Sequence, residues 1–315
     1  ASGEPVARVY TKNAPFTGLT YSTNLYVGDY AASNSMEELA EQSEGVRRIA
    51  VCRMDVDNLG HAFISGFEQE NEKDPVKRMH YVTLSRTSAF SRQMSLFFKC
   101  YINDVLSGKY GGKRPLAVTI VYSGGDDVFL VGAWNDTLEA CLRIRAALRQ
   151  FSCGSLTISG GLCVTDDSYP IRLAAERAGE LEDRAKGEPG KDAIALFDPF
   201  LEHTYHWEEF SENVLGTKCA LLTRFFCSDD AARGNSFLYR IVDLLRSAER
   251  DGKLALARYA YLLARLAPPV SSPAYRGYKE FSEKMYAWAL DAAQRKQLIT
   301  AIYIHVYENR EGDTE

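Results

Sequence analysis

Between residues 47 and 197 the hydrophobic pattern switches repeatedly between a two-residue period and a three-to-four-residue period. Arg47–Val56 alternates as a strand does. Ala50, Cys52, Met54 and Val56 form one wholly apolar row, which marks a core face, opposite Ile49, Val51, Arg53 and Asp55. Asp57, Asn58, Leu59 and Gly60 follow, and a short apolar helix is predicted over His61–Phe67. The charged stretch Glu68–Pro75 reads as a solvated loop. Leu84, Thr87, Phe90, Met94, Phe97, Phe98, Tyr101, Ile102 and Val105 then recur at helical spacing and predict one long helix over Thr83–Leu106. The basic, Gly-rich loop Gly108–Pro115 lacks the Gly-Lys-Ser/Thr ending of a P-loop. Beyond it the pattern predicts strands Leu116–Ser123 and Val128–Gly132, helix Asp136–Gln150, strand Leu156–Val164, helix Ile171–Lys186, a Gly187–Gly190 turn and strand Ala193–Phe197.

Apart from one extra helix and the final strand, this is the β-α-β-β-α-β order of a ferredoxin-like domain. From about Glu202 the strand signals nearly vanish. Helices are predicted over Leu215–Phe226, Ser236–Glu249, Leu254–Leu266, Tyr275–Trp288 and Ala293–Tyr307, a small bundle ending in a polar, frayed tail Glu308–Glu315. The fold class is therefore α+β: a ferredoxin-like domain over 46–200, then an all-α domain over 201–315. Residues 1–45 cannot bury a core of their own. They hold a turn at Pro15–Gly18, one or two strands within Thr20–Tyr30 and a short helix in Ser35–Ser43 with Ser35 as its cap, and read as the tail of a preceding domain or a linker.

The bulk numbers agree with a chain of 315 residues forming two domains at about 150 residues each. A net charge of −5 gives no global field for nucleic acid, so any such contact needs a local patch or a partner. No apolar run approaches the roughly 18 residues of a membrane span, and Ala1–Tyr10 shows no signal-peptide pattern, so a cytoplasmic location is expected. Seven cysteines without a Cys-x-x-Cys pair do not support a zinc ribbon; they read as small buried hydrophobes in a reducing compartment. His203 and His206, three apart with no further ligand nearby, read as structural.

The candidate chemistry sits in the hairpin Val121–Val131. Gly124 and Gly125 make its turn, and Asp126 and Asp127 leave the turn on opposite faces of the second strand. Two adjacent carboxylates at a rigid tip invite a hard divalent cation, which prefers carboxylate oxygens and leaves positions for substrate phosphates. The first strand can lie beside the hairpin, which brings Asp55 close to Asp126 and Asp127. Two ions bridged by such carboxylates suit an in-line displacement at phosphorus. The N–H groups at the start of the His61–Phe67 helix are suited to a phosphate, and Lys186 and Lys191, flanking the Gly-Pro turn, can supply positive charge for a triphosphate.

At these residues the chain resembles a known family. The Asp55-Val56-Asp57 strand end, the Gly124-Gly125-Asp126-Asp127 hairpin and the Ala185-Lys186…Lys191 segment resemble the palm of GGDEF-type nucleotidyl cyclases. Val27–Ala31, Arg53–Gly60, Leu84–Arg86 with Phe97–Lys99, and Tyr122–Asp127 are closer still to the large polymerase-like subunit of type III-A CRISPR effector complexes, the Csm class. The match is to its second palm and C-terminal helical domain. The resemblance implies conversion of ATP to cyclic oligoadenylate when a guide complex binds target RNA, with Mg²⁺ or Mn²⁺ as cofactor. It implies Asp55 and Asp126 as metal ligands and Asp127 as a further acidic or metal-binding group, the three forming the catalytic set. The Val56 carbonyl joins them. Backbone N–H groups of Asn58, Leu59 and Gly60 meet the triphosphate, Ser123, Gly124 and Gly125 line the nucleotide site, and Lys186 and Lys191 contact phosphate.

The implied partners are a first palm, small helical subunits, the subunit that holds the guide end, and guide and target RNA indirectly. In that family a His-Asp nuclease domain, a first palm and a zinc-bearing middle domain precede this region; residues 1–45 are then expected to be the end of the middle domain, and the nuclease activity does not carry over. With a single palm, the chain alone is expected to bind ATP and metal with little or no synthase activity. Two other readings stay open: a diguanylate-cyclase-like GTP enzyme, against which the helical domain and Asp127 argue, and a non-catalytic nucleotide-binding scaffold.

Overall fold

The computed structural model describes residues 8–14, 22–69, 71–199, 201–226 and 235–310. The chain divides into two compact units, Ala1–Ser43 with Arg48–Pro199, and Glu44–Arg47 with Phe200–Glu315.

The first unit opens with two short parallel strands, β1 (Val9–Lys12) and β2 (Ser22–Leu25), and a helix α1 (Met36–Glu41) capped by Ser35, whose hydroxyl accepts the Glu38 N–H. β1 has no counterpart in the expectations from sequence, and the expected Pro15–Gly18 turn lies outside the described residues. Then follow β3 (Ile49–Val56), α2 (Leu59–Ser65), α3 (Pro75–Arg78), α4 (Leu84–Leu96), a π-helical turn at Phe97–Tyr101, α5 (Ile102–Leu106), β4 (Val118–Gly124), β5 (Asp127–Ala133), α6 (Trp134–Phe151), β6 (Ile158–Thr165), α7 (Ile171–Gly187) and β7 (Ala193–Phe197). Within this unit the strand order is β4-β5-β3-β6-β7. β3 runs antiparallel to both β5 and β6, and β7 is parallel to β6. The first four strands have the ferredoxin-like arrangement, and the fifth extends the sheet.

β3 is central and covered on both faces. Cys52 packs under α6, its sulfur 3.2 Å from that of Cys141. Ile49 and Val51 of the opposite row are equally buried, in a cluster with Leu39 and Ala40 of α1 and Ala174, Ala178, Leu181 and Ala185 of α7. The apolar row thus marked one core face of two; the second is legible only once α7 is laid over the sheet. That approach depends on Gly161: a Cβ there would lie 2.3 Å from the Ala178 carbonyl and from the Glu182 nitrogen. Arg114, in the Gly-rich loop, grips the buried Asp136 carboxylate with two parallel bonds of 2.8 and 2.6 Å, which fixes the loop to α6.

Two local features of the long helix differ from the sequence pattern. The π turn at Phe97–Tyr101 lets consecutive Phe97 and Phe98 both turn inward, while Leu84 and Tyr101 of the expected stripe stay exposed. The charged stretch after α2 ends in the short α3, with Pro75 at its first position and Asp74 as cap. Residues 27–32 are irregular but well tied. The Asn103 side chain accepts the N–H groups of Asp29 and Tyr30 (3.0 and 2.9 Å) and donates to the Val27 carbonyl (2.9 Å), and Ala31 bridges to Thr119 on the outer edge of β4.

The second unit is helical, with one three-residue strand that the sequence did not disclose, β8 (Thr204–His206). α8 (Trp207–Glu209), a π-helical stretch Phe210–Cys219 and α9 (Ala220–Phe226) form one rod, which begins earlier than expected. α10 (Asn235–Asp251), α11 (Lys253–Ala264), α12 (Tyr275–Leu290) and α13 (Ala292–Asn309) follow. α13 is apolar on most sides, with Leu298, Ala301, Ile302, Ile304 and Val306 all buried, and it continues through Glu308 and Asn309, where a frayed tail was expected. Its polar residues are paired: Lys218 donates to Gln297 (2.7 Å), and Gln297 donates to Glu209 (2.6 Å). His203 is buried against Thr300, as a structural histidine should be. Of the described cysteines, Cys52, Cys141, Cys163 and Cys219 are buried, but Cys153 is exposed. No described helix is long and apolar enough to cross a membrane.

Candidate active site

β3 and β5 carry their carboxylates to the same end of the sheet. Asp55 stands directly opposite Asp127 in the β3–β5 ladder, and Asp127 in turn pairs with Gly124 on β4. The turn is one residue further along than the sequence suggested. Gly124 ends β4, and the two turn residues are Gly125 and Asp126, so Asp126 lies in the turn and does not share a strand with Asp127. Gly125 has φ +68°, and the Asp126 N–H donates back to the Gly124 carbonyl at 2.9 Å, closing a three-residue turn. The Asp126 carbonyl accepts the Val56 N–H at 3.1 Å, which ties the turn to the end of β3. Three carboxylates therefore meet where two neighbouring strands end.

Their electrostatics show the crowding. Burial raises the pKa of Asp126, and the charge of Asp55 adds to the shift. Burial likewise raises Asp127, with the charges of Asp126 and Asp55 acting the same way. Tyr122 donates to Asp127, and the facing carboxylate pushes its phenol upward. Lys186 supplies the local counter-charge. Its ammonium sits 2.6 Å from Asp55 and 2.8 Å from Glu182, one helical turn back on α7. Burial lowers the Lys186 pKa, but the hydrogen bonds to Asp55 and Glu182 outweigh it and leave the group above its ordinary value. Arg53, next but one to Asp55 on β3, is 3.4 Å from Glu182.

The residues after β3 form a second, linked cluster. Asn58 takes a left-handed φ of +54° before α2. Lys191 donates to its Oδ1 at 2.7 Å. Asp57 is buried, and its Oδ2 accepts both the Thr157 hydroxyl (2.7 Å) and the Asp192 N–H (3.1 Å). Arg145 of α6 grips the Asp192 carboxylate at 3.0 and 2.5 Å. Lys191 and Asp192 are both left-handed, at φ +56° and +49°, and this network holds them there.

The structure thus brings Asp55, Val56, Asp126, Asp127 and Lys186 together, with Asn58 and Lys191 in one adjoining contact. Leu59 is buried and Gly60 exposed at the first turn of α2. The Ser123 hydroxyl goes elsewhere. It donates to the Phe98 carbonyl at 2.6 Å, anchoring the hairpin to the π turn, so it serves the scaffold. Sequence reasoning passed over Asp57, Tyr122 and Glu182 as functional positions. Glu182 had a signal in its four-residue spacing from Lys186; Asp57 and Tyr122 had none beyond adjacency. An all-oxygen, carboxylate-rich set suits a hard divalent cation. Among the described residues no three acidic, histidine or cysteine side chains close into a metal cage by themselves, so a cation here needs further oxygens from a carbonyl, water or a substrate.

Comparison with known proteins shows the family. Residues 48–195 match the family described as Cas10/Cmr2, second palm domain, and residues 223–311 match the second helical domain of the CRISPR RNA silencing complex Cmr2 subunit. The Cas10/Csm1 single-strand-specific deoxyribonuclease (subtype III-A) of Mycobacterium tuberculosis is 40% identical over 98% of the chain, which spans 37% of that relative's length. The crystal structure of Csm1 in T. onnurineus superposes with a TM-score of 0.70 at 26% identity, covering 98% of this chain and 45% of that one. Csm1–Csm4 cassettes in complex with AMPPNP and with cA3 have TM-scores of 0.65 and 0.67 at 26% and 25% identity, covering 96% and 97% of this chain and 45% or less of those. The chain belongs to the Cas10/Csm1 family of type III-A CRISPR systems, and it comprises the second palm domain followed by the second helical domain.

Proposed function

We propose that the palm binds ATP at the Asp55–Asp126–Asp127 end of its sheet and, with a first palm, builds cyclic oligoadenylate when target RNA is bound. The observation that carries this is the Asp55–Asp127 pairing with Asp126 in the adjoining turn. Burial, with the neighbouring negative charges adding to it, raises two of the three carboxylates, and a divalent cation relieves such crowding. The oxygen chemistry of the set suits Mg²⁺ or Mn²⁺: Asp55 and Asp126 would hold it, with Asp127 and the Val56 carbonyl in support. When bound, the ion lowers the barrier to displacement at phosphorus by neutralising charge on the attacking and leaving oxygens.

This chain's own groups do the positioning. Backbone N–H groups at Asn58, Leu59 and Gly60, where the first turn of α2 leaves donors free, face the triphosphate. Gly125 keeps side-chain bulk off the tip of the turn, and Gly124 lines the same edge. Lys186 and Lys191 add positive charge once Lys186 exchanges Asp55 for phosphate. The solved cassettes in complex with AMPPNP and cA3 favour an adenine nucleotide over GTP. The pairing of Csm1 with Csm4 in those cassettes supports a subunit of that kind as partner, alongside small helical subunits and the RNAs.

The test is ATP turnover by the assembled complex with target RNA and Mg²⁺ or Mn²⁺. Asp126→Ala/Asp127→Ala should reduce product at least about a hundredfold, as loss of electrostatic stabilisation in a catalytic site does. Retention of full turnover by that variant would remove these residues from the site. A complex that binds ATP but makes no oligoadenylate would leave the palm as a nucleotide-binding scaffold.

A further inference from the structure

The helical unit has a cleft of about 430 Å³ that the proposed reaction does not use. Arg246 of α10 and Arg295 and Lys296 of α13 line it, with Glu202 and His203 at the segment before β8. Leu245 and Ile299 give it an apolar wall. The three cations are held in place by neutral groups. Arg246 lies 5.4 Å over the Tyr303 ring. Arg295 donates to the Ala289 carbonyl at 3.0 Å. Lys296 donates to the Thr204 carbonyl at 3.0 Å and lies 5.0 Å from the Tyr205 ring centre. None of the three has an ion-pair partner within 4 Å among the described residues. Backbone carbonyls and rings orient these side chains without cancelling their charge, and each keeps further N–H donors.

We infer that this cleft binds a phosphomonoester that carries a nucleoside: a free nucleoside 5′-monophosphate or the 5′-terminal phosphate of an RNA strand. The charge of the lining decides the class. Among the lining residues there are three cations and one carboxylate, Glu202, a surplus of two positive charges. A phosphomonoester carries about −1.5 to −2 at neutral pH and matches that surplus, whereas a single carboxylate does not. His203 does not add to the positive charge at neutral pH. Burial lowers its pKa to about 4, and the nearby Arg246 and Lys296 push the same way, which itself reports the positive potential of the cleft. The volume falls in the range of small-ligand sites, and the apolar wall gives a base a surface to lie on. Arginine forks suit phosphate oxygens in pairs.

The experiment uses the full chain in EDTA, so that no divalent cation supports nucleotide at the palm. AMP, a 5′-phosphorylated oligoribonucleotide and the same strand with a 5′-hydroxyl are titrated by calorimetry. The expected result is one site per chain for AMP, for the phosphorylated strand or for both, with the 5′-hydroxyl strand at least about tenfold weaker. AMP alone identifies a free nucleotide; the phosphorylated strand alone identifies an RNA end. Arg246→Ala and Lys296→Ala should each weaken binding about tenfold, and Asp126→Ala should leave it unchanged. A second readout needs no variant: AMP should slow acetylation of Lys296 in the unaltered protein, measured by mass spectrometry. Equal binding of both strands with no AMP binding, indifference to both cleft variants, or undiminished acetylation of Lys296 would each overturn the inference.

Discussion

Lys186 of α7 places its ammonium 2.6 Å from Asp55 at the end of β3, and the same ammonium holds Glu182 at 2.8 Å. One cation therefore balances a carboxylate of the candidate site and a carboxylate of the helix that covers it. Removing the ammonium by Lys186→Ala leaves Glu182, only 9% exposed at its side chain, with Arg53 as its remaining ion-pair partner among the described residues. We expect a loss of about 1–2 kcal/mol, less than for a wholly buried pair because Lys186 and Asp55 keep part of their exposure. The folded pKa of Lys186 is raised, so its contribution is present below the unfolded value and lost only as pH rises through the folded one. Urea titrations at pH 7 and pH 9 should show the same deficit; no deficit at pH 7 would refute the counter-ion role.

The crowded carboxylates predict the opposite sign. Asp126→Asn or Asp127→Asn removes one of three neighbouring negative charges and should stabilise the metal-free protein. The gain should stay below about 1 kcal/mol, since both groups are largely solvated and screened. Mn²⁺ should raise the melting temperature of the unaltered chain and not that of the doubly substituted one. A double variant that melts lower than the parent in EDTA would show that these charges do not repel in the folded state.

Asp57 is a positioning residue. Its Oδ2 holds Thr157 and the Asp192 N–H, and through Asp192 it fixes the left-handed backbone that presents Lys191 to Asn58. Asp57→Ala gives up two hydrogen bonds to a buried carboxylate and should cost about 2–4 kcal/mol. Asp57→Asn can place its single amide oxygen where Asp57 Oδ2 accepts and should recover part of it, since its amide N–H groups then meet the buried position of Oδ1. In the assembled complex Asp57→Asn should raise KM for ATP with little change in kcat, since it loosens the phosphate side and leaves the three carboxylates alone. A fall in kcat at unchanged KM would place Asp57 in the chemistry instead.

His203 is expected to contribute to the acid sensitivity of the helical unit. Its pKa is lowered by burial to about 4, below the unfolded value of about 6.5. A depressed folded pKa means stability that is present above pH 6.5 and lost as pH falls toward 4, amounting to roughly 3 kcal/mol at most. His203→Gln should flatten the fall in the melting temperature of this unit between pH 6.5 and 4.5. An unchanged slope would assign acid sensitivity to other groups.

The order of elements and the hairpin were legible because each rests on local pattern. Ala50, Cys52, Met54 and Val56 alternate whatever surrounds them, and a Gly-Gly-Asp-Asp turn announces itself in four residues. The turn lies one residue further along than the sequence pattern predicts. Gly124 and Gly125 are equally permissive, and only the pairing of Gly124 with Asp127 decides which of them leaves the ladder. The π turn at Phe97–Tyr101 escaped for a similar reason: an extra residue in a helix leaves the apolar spacing nearly intact. β8, three residues long, is too short to show a period at all.

By itself the sequence determined the α+β order, the two-unit division of labour between strands and helices, and the identity of the carboxylates, because periodicity and turn chemistry are properties of neighbouring residues. It also carried the family resemblance. Tertiary structure alone decided that Lys186 faces Asp55 and Glu182, that Ser123 serves the scaffold, that Asp57 rules the Lys191 loop, and that Arg246, Arg295 and Lys296 share one cleft. Each of the pairs Lys186–Asp55, Ser123–Phe98 and Asp57–Asp192 joins residues far apart in the chain. Their meeting depends on strand register and on how closely a helix approaches the sheet at Gly161, which no local pattern records.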